Sequence, residues 1–360
     1  MVRVVAAALA ALALVVAGPA RAADRAALAA LAALEQSIRS GEIKGVHSVL
    51  VMRGPETVAE WYFEGPDELR GKSLGVVTFG PETLHDVRSV TKSLVGLLVG
   101  VALQEGAIKS LDTPVLDYFP EYADLQTPDL RKITLRHLLT MGSGLHWDEQ
   151  TYGYDDPRNS ESGMDAAPDR YRFVLSQPIE AAPGSRFKYS GGDVALMGAV
   201  LARATQTPLD AYAQAKLFGP LGIAKVEWQR DAKGAPYAAS GLRMRPRDMA
   251  KVGRMVLHDG RWEGRPVIPA AWVRTSIQPH ARVQPDPKCG GQYGYFWWLQ
   301  AGCALSPPQP WASAIGNGGQ RIALVPALDL VIVVTAGLYN RPGQRQVGNG
   351  VVERALAAVR

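Results

Sequence analysis

Ser89 and Lys92 stand three positions apart at the head of a run with almost no polar residues, Leu94-Val95-Gly96-Leu97-Leu98-Val99-Gly100-Val101-Ala102-Leu103. Such a run reads as a helix buried on every face. Positions i and i+3 share a helical face, so the hydroxyl and the amine can meet. A serine needs an adjacent base to act as a nucleophile at neutral pH. Burial that lowers the lysine's pKa would make Lys92 that base. The helix N-terminus adds unpaired N–H groups that suit an oxyanion. The pair points to acyl transfer through Ser89.

Other short patterns lack the context their chemistry needs. A second Ser-x-x-Lys, Ser185-Arg186-Phe187-Lys188, follows Pro183-Gly184 and opens no buried helix. Gly71-Lys72-Ser73-Leu74-Gly75 matches a nucleophile elbow, which requires a strand before it and a helix after it. A polar loop precedes it here and Val76-Val77-Thr78-Phe79-Gly80-Pro81 follows. Gly65 and Gly71-Lys72-Ser73 approach a phosphate-binding loop, but with five residues between the glycines in place of four. Two further elements complement Ser89. Tyr189, in Tyr189-Ser190-Gly191, is a phenol that can relay a proton beside a cation such as Lys92. Gly316-Asn317-Gly318-Gly319-Gln320 ends an expected strand, where glycines expose backbone N–H groups and allow close approach.

Together, Ser-x-x-Lys opening a buried helix, a tyrosine about a hundred residues later and a glycine-rich strand end resemble the serine β-lactamases of class C and their relatives. Among these are penicillin-binding-protein-like hydrolases, class VIII esterases and 6-aminohexanoate-dimer hydrolases. Supporting stretches are His137-Leu138-Leu139-Thr140-Met141-Gly142-Ser143-Gly144-Leu145, Ser240-Gly241-Leu242-Arg243, Arg247-Asp248-Met249-Ala250 and Tyr293-Gly294-Tyr295-Phe296-Trp297-Trp298. The resemblance spans about residues 30–360. It implies that Ser89 is acylated, that Lys92 is its base and that Tyr189 carries the proton to the leaving group. It also implies an oxyanion hole made by the backbone N–H of Ser89 and of Gln320 or a neighbour on the Asn317-Gly318-Gly319-Gln320 edge. No metal or organic cofactor is implied.

Two departures from the lactamase pattern matter. Gly191 stands where the second motif has Asn, and Asn317-Gly318-Gly319 stands where the third has Lys-Thr-Gly. The lysine that would meet a β-lactam carboxylate is absent. The resemblance therefore leans toward an esterase or amidase of the 6-aminohexanoate-oligomer-hydrolase type. The alternatives are a β-lactamase or D-Ala-D-Ala peptidase, and a non-catalytic penicillin-binding-like module. Arg321, Arg243 and Arg245 are candidates for holding a substrate carboxylate. The polar stretch 142–168 reads as a lid loop, with Trp147, Tyr152 and Tyr154 as substrate contacts.

The surrounding elements suit such a site. Stretches 45–53 and 57–64 read as a hairpin, and 65–83 is turn-rich. Thr134 caps a helix through 141, and helices are expected over 23–40, 171–176, 193–204, 209–217, 247–257 and 346–360. Strands are expected at 293–299, 312–315, 322–325 and 328–336, with a tight turn near Pro326-Ala327. Strands at both chain ends and helices between them predict an α/β fold of the α+β type. It would be an antiparallel sheet from 23–85 and 240–360, flanked by helices, with an inserted all-helical region at 86–239.

Composition bounds the rest. The chain has 360 residues, 47% hydrophobic and 20% charged, as in ordinary globular proteins. Residues 1–22 read as a secretory signal: Arg3, an uncharged apolar run from 4 to 17, and Ala20-Arg21-Ala22 as a small-x-small cleavage site. The run falls short of the roughly 20 residues a span requires. The expectation is an exported protein, periplasmic or secreted, without stable membrane insertion. Removing Arg3 and Arg21 takes the formal charge from +5 to +3, and no dense basic run suggests nucleic acid. The expected partner is a small amide or ester substrate. Cys289 and Cys303 would pair in an oxidising compartment, closing a loop worth about 3 kcal/mol.

Overall fold

The computed structural model describes residues 19–283 and 291–360. Its main sheet has eight antiparallel strands: β1 (Val46–Arg53), β2 (Glu56–Tyr62), β3 (Ala281–Arg282), β4 (Gln292–Tyr293), β5 (Trp298–Gln300), β6 (Trp311–Gly316), β7 (Gln320–Val325) and β8 (Leu330–Ala336). Their spatial order is β3-β4-β5-β6-β7-β8-β1-β2. The helices are α1 (Pro19–Arg39), α2 (Val90–Gln104), α3 (Leu135–Leu139), α4 (Ser160–Ala166), α5 (Arg170–Leu175), α6 (Gly191–Ala204), α7 (Leu209–Ala213), α8 (Pro246–Leu257), α9 (Ala270–Ser276) and α10 (Gln344–Val359). The sheet is assembled from both ends of the chain, with the helical stretch between, as the order of apolar patterns predicts. No helix of the described residues is long and apolar enough to cross a membrane.

β8 explains the layering. Its β-branched run Leu330-Val331-Ile332-Val333-Val334 is wholly buried and lies between β7 and β1. Successive side chains point to opposite faces of a strand. Val331 and Val333, with Leu50, Ile322 and Leu324, therefore join the cluster that includes α2 and α8. Ile332 and Val334, with Val49, Val51, Ala323 and Val325, meet Leu31, Leu34, Val352 and Leu356 of the terminal helices α1 and α10.

α2 is buried from Val90 to Ala102. Two glycines one turn apart let a large ring approach its backbone. Trp272 of α9 donates its indole N–H to Gly96 O at 2.9 Å. A Cβ on Gly100 would lie 2.1 Å from that ring. Around this helix a single apolar cluster runs from Leu50 on β1 through α2 and α6 to Val333 on β8.

Three expectations are corrected. Residues within 65–83 are not simply turns: Glu64–Leu69 and Lys72–Thr78 pair as a hairpin. The second strand is almost entirely exposed, so it has no buried face to imprint alternation on the sequence. The stretch 293–299 is not one strand. Gly294–Trp297 turns inward between β4 and β5, with Gly294 N–H on Trp297 O at 2.8 Å and Tyr295 N–H on Ser276 O at 2.9 Å. Tyr295, Phe296 and Trp297 are buried there, so the aromatic run reflects core packing. The lid stretch 142–168 contains α4, whose cap is Asn159: its side chain accepts the N–H groups of Glu161 and Ser162. Cys303 is disulfide-bonded; Cys289, the other cysteine of the chain, lies outside the described residues.

The Gly100–Trp272 contact yields a stability prediction. Gly100→Val must displace the indole and should lower unfolding stability by about 1–3 kcal/mol. Denaturant melts of the two proteins check this, and coincident midpoints would contradict it.

Candidate active site

The turn that delivers Ser89 is held on several sides. His85–Asp86 pairs with Leu242–Met244, and Val87 N–H donates to Leu242 O at 3.0 Å. Asp86 is fully buried; it accepts the Arg88 N–H at 3.2 Å and pairs with the Arg88 guanidinium at 3.0 Å. That guanidinium also reaches Glu68 at 2.6 Å. These contacts hold Arg88 at φ 49, a left-handed conformation that costs a non-glycine residue about 1–3 kcal/mol and is often found at functional sites. Ser89 follows as the residue capping α2 and is 8% exposed. Among the described residues its N–H has no protein partner.

Lys92 lies one turn further along and is almost completely buried. Its Nζ donates to Ala239 O at 2.9 Å and lies 5.2 Å from the centre of the Tyr189 ring. The Tyr189 hydroxyl lies beside the Lys92 ammonium and the Ser89 hydroxyl, both of which favour its ionised form. Tyr189 is placed by the start of α6, where Ser190 caps the helix by accepting Asp193 N–H at 3.0 Å. Its ring packs 5.4 Å from that of Trp298 on β5. The structure thus joins the three residues that spacing selects.

It also adds two that spacing does not reveal. Glu149 and Glu161 are buried beside Lys92. Glu149 Oε2 accepts the Trp147 indole N–H and the Gly191 N–H, each at 2.6 Å. Glu161 Oε1 accepts the Ser240 hydroxyl at 3.0 Å. A Cβ on Gly191 would lie 2.9 Å from Glu161 Oε2 and 3.0 Å from Glu149 Oε2. The space that a side chain at 191 would occupy is filled by carboxyl groups. Each glutamate is an isolated acid in a polar loop or short helix, with no periodic sequence signal to mark it.

These groups set one another's charge. Burial works against the Lys92 ammonium, but Tyr189, Glu161 and Glu149 outweigh it and hold its pKa above the ordinary lysine value. The expectation that burial lowers Lys92 is therefore corrected: Tyr189 and the nearby carboxylates decide the sign. Burial, reinforced by Glu161, pushes Glu149 up to about 8. Burial opposes ionisation of Glu161 too, yet Lys92, Arg70 and the Ser240 hydroxyl hold it below the usual carboxylate range. Tyr189 is raised by burial, with Lys92 pulling the other way.

The remaining candidates divide. Tyr154 faces Glu161, Glu149 and Tyr189. Trp147 is a core residue, 1% exposed, and acts on the site through Glu149 rather than by touching substrate. Tyr152 is half-buried beneath the Arg158 guanidinium at 4.2 Å. Arg321 is corrected: it is buried under α10, donating to Asn349 Oδ1 at 3.0 Å and Gln320 O at 2.8 Å, and has nothing to offer a substrate carboxylate. Arg243 is paired with Glu227 at 2.8 Å, and Arg245 with Asp248 at 2.6 Å and Glu82 at 2.5 Å, so both are consumed by ion pairs.

The glycine-rich edge is a hairpin turn closed by Gly316 and Gln320. It abuts the nucleophile turn: a Cβ on Gly316 would lie 2.2 Å from Val87 O. Tyr339, which packs on Gly318, donates its hydroxyl to Asp86 O at 3.1 Å. Within the turn, the Gly318 N–H is bound by Gln344 Oε1 and the Gly319 N–H by Gly316 O. The Gln320 carboxamide is locked to Ala336 on β8. The Asn317 side chain bonds Asn340, but its backbone N–H has no protein partner among the described residues. Among those residues, no three His, Cys, Asp or Glu are grouped to hold a metal ion.

Comparison with known proteins places this arrangement. The beta-lactamase family model matches residues 25–357. The 6-aminohexanoate-dimer hydrolase of Paenarthrobacter ureafaciens is 27% identical over 309 residues, 79% of this chain and 70% of that protein. Esterase EstB of Burkholderia gladioli is 37% identical over 153 residues, covering 39% of this chain and 38% of that one. The solved structure of EstCE1, described as a hydrolase with promiscuous acyltransferase activity, has the same fold, with a TM-score of 0.71 at 18% identity over 94% of this chain and 99% of that one. A serine, a lysine and a tyrosine meeting at the head of one buried helix, inside a fold matched almost end to end, make this chain a member of the beta-lactamase family and a serine hydrolase.

Proposed function

We propose that the protein cleaves an amide or ester bond through an acyl-enzyme on Ser89, with linear, 6-aminohexanoate-oligomer-like or simple ester substrates. The observation that carries this reading is the meeting of Ser89, Lys92 and Tyr189, with Lys92 Nζ 5.2 Å from the Tyr189 ring centre. In the acylation step the Ser89 oxygen bonds to the substrate carbonyl carbon. Its proton passes to the Tyr189 oxygen while Tyr189 gives its own proton to the leaving nitrogen or oxygen, so the phenol is neutral before and after. The Lys92 ammonium stabilises the negative charge that gathers on the phenol oxygen in transit. Water then repeats the sequence to release the acid.

The unpartnered N–H groups of Ser89 and Asn317 support an oxyanion hole from these two, with Asn317 in place of Gln320. With the third-motif lysine absent and Arg321, Arg243 and Arg245 engaged elsewhere, esters and linear amides are favoured over β-lactams. Export rests on the pattern of residues 1–22 and on a disulfide-bonded Cys303, which suits an oxidising compartment.

Three outcomes test the reading. Wild-type protein given a chromogenic ester, a linear 6-aminohexanoate dimer and a chromogenic cephalosporin should turn over one of the first two fastest, with an acyl adduct at Ser89 by mass spectrometry. No adduct, or full activity in Ser89→Ala, would overturn the mechanism. Tyr189→Phe removes the proton relay and should lower kcat/KM by about 10²–10⁴-fold. Gly191→Asn crowds both glutamates and should lower kcat/KM by roughly 10–100-fold through misplacement of Lys92 and Tyr189; an unchanged rate would show that the space is not constrained. For export, N-terminal sequencing of protein recovered from the periplasm or medium should begin at Ala23, and an intact Met1 there would refute cleavage.

A further inference from the structure

We propose that Glu149 and Glu161 are positioning residues that keep Lys92 an ammonium, so that Lys92 serves the reaction as a fixed positive charge and not as the base that deprotonates Ser89. The inference rests on the acyl-transfer reading above and deepens it. Two carboxyl groups from different elements, one on the stretch before α4 and one within it, converge within about 3 Å of a single point, the missing Cβ of Gly191. Both are buried, and Glu149 Oε1 and Glu161 Oε2 have no hydrogen-bond partner. Buried carboxylate oxygens left without hydrogen bonds are costly unless a charge compensates them. Lys92 is the cation beside them: its Nζ donates to Ala239 O at 2.9 Å, and the hydroxyl of the next residue, Ser240, donates to Glu161 Oε1 at 3.0 Å.

The other charged and titratable groups around this cluster do not replace Lys92. Arg70 acts on Glu161 but is itself bound to Asp165 and the Ser240 hydroxyl. Arg88 is paired with Asp86 and Glu68. Asp165 is shared between Arg70 and Arg170. Tyr154 and Tyr293 contribute phenols held neutral by burial. One ammonium and two carboxyls are balanced when one carboxyl is ionised and the other retains a proton. That matches a protonated Glu149 and an ionised Glu161. Removing the ionised carboxylate would leave Lys92 with burial unopposed by Glu161, and its ammonium would be lost at lower pH. Tyr189 would remain beside it, and the loss of one opposite charge from within roughly 4–6 Å is worth about 1–3 pH units.

The test is the pH profile of Ser89 labelling by a fluorophosphonate, followed by mass spectrometry on wild type, Glu149→Gln, Glu161→Gln and the double variant. If Lys92 works as an ammonium, labelling falls on the alkaline side as it deprotonates. That alkaline limb should then move down by about one pH unit or more in Glu161→Gln and further in the double variant. Glu161→Asp, which retains the charge, should restore the limb even if its rate is lower, and this separates charge from packing. If Lys92 is the base, the Gln variants instead become faster than wild type near neutral pH, which overturns the inference. An unmoved limb also overturns it. A wild-type chain unlabelled at Ser89 overturns the hydrolase reading together with this one, whereas a labelled wild type with an unmoved limb overturns the inference alone.

Discussion

A lysine ammonium buried at the head of an apolar helix is the constraint from which the site's arrangement follows. Isolated in that position, Lys92 would lose its charge, because a cation removed from water without compensation is strongly destabilised. The chain brings four compensating groups to it: the Ala239 carbonyl, the Tyr189 phenol and the carboxyl groups of Glu149 and Glu161. They come from three segments. The turn before Leu242–Met244, the cap of α6, and the stretch 142–168 with its short helix must all fold correctly for Lys92 to keep its proton. Catalytic charge and tertiary assembly are therefore coupled at one atom.

Close approach is the second requirement, and glycine supplies it at the points where backbone or ring must come nearest. Gly316 lets β6 end against Val87, so the glycine-rich turn sits beside the nucleophile turn. Gly100 admits the Trp272 ring to the surface of α2. Gly191 clears the space that the two glutamates fill. The lactamase pattern that the sequence resembles has an asparagine at this last place; here the corresponding space holds two carboxyl groups.

The proposed substrate preference rests on what is not free among the described residues. The arginines nearest the recognised motifs are engaged in pairing or buried against backbone, and the glycine-rich turn spends two of its N–H groups and one carboxamide on its own stability. What remains for a substrate is neutral backbone at Ser89 and Asn317, with aromatic rings at Tyr189, Tyr154 and Trp298 around the reacting groups. It is on this surrounding that the proposal of an uncharged acyl group rests.

The sequence by itself selected Ser89, Lys92 and Tyr189, which the structure brings together, because a Ser-x-x-Lys pair on a helix with no polar face is a local pattern and the family's motifs recur at recognisable spacing. It also determined the antiparallel sheet drawn from both chain ends, since buried strands such as β8 are continuous runs of β-branched residues. It was silent on the exposed hairpin at 64–78, which has no buried face to create alternation, and misleading at 293–299, where aromatics packed into the core resemble a strand. Only the tertiary structure decided the charge state of Lys92, the burial of Arg321 and Trp147, and which N–H groups of the glycine-rich turn stay free. Those properties depend on what lies within a few ångströms across the fold, and residues such as Glu149 and Glu161 reach Lys92 from segments more than fifty positions away in the chain.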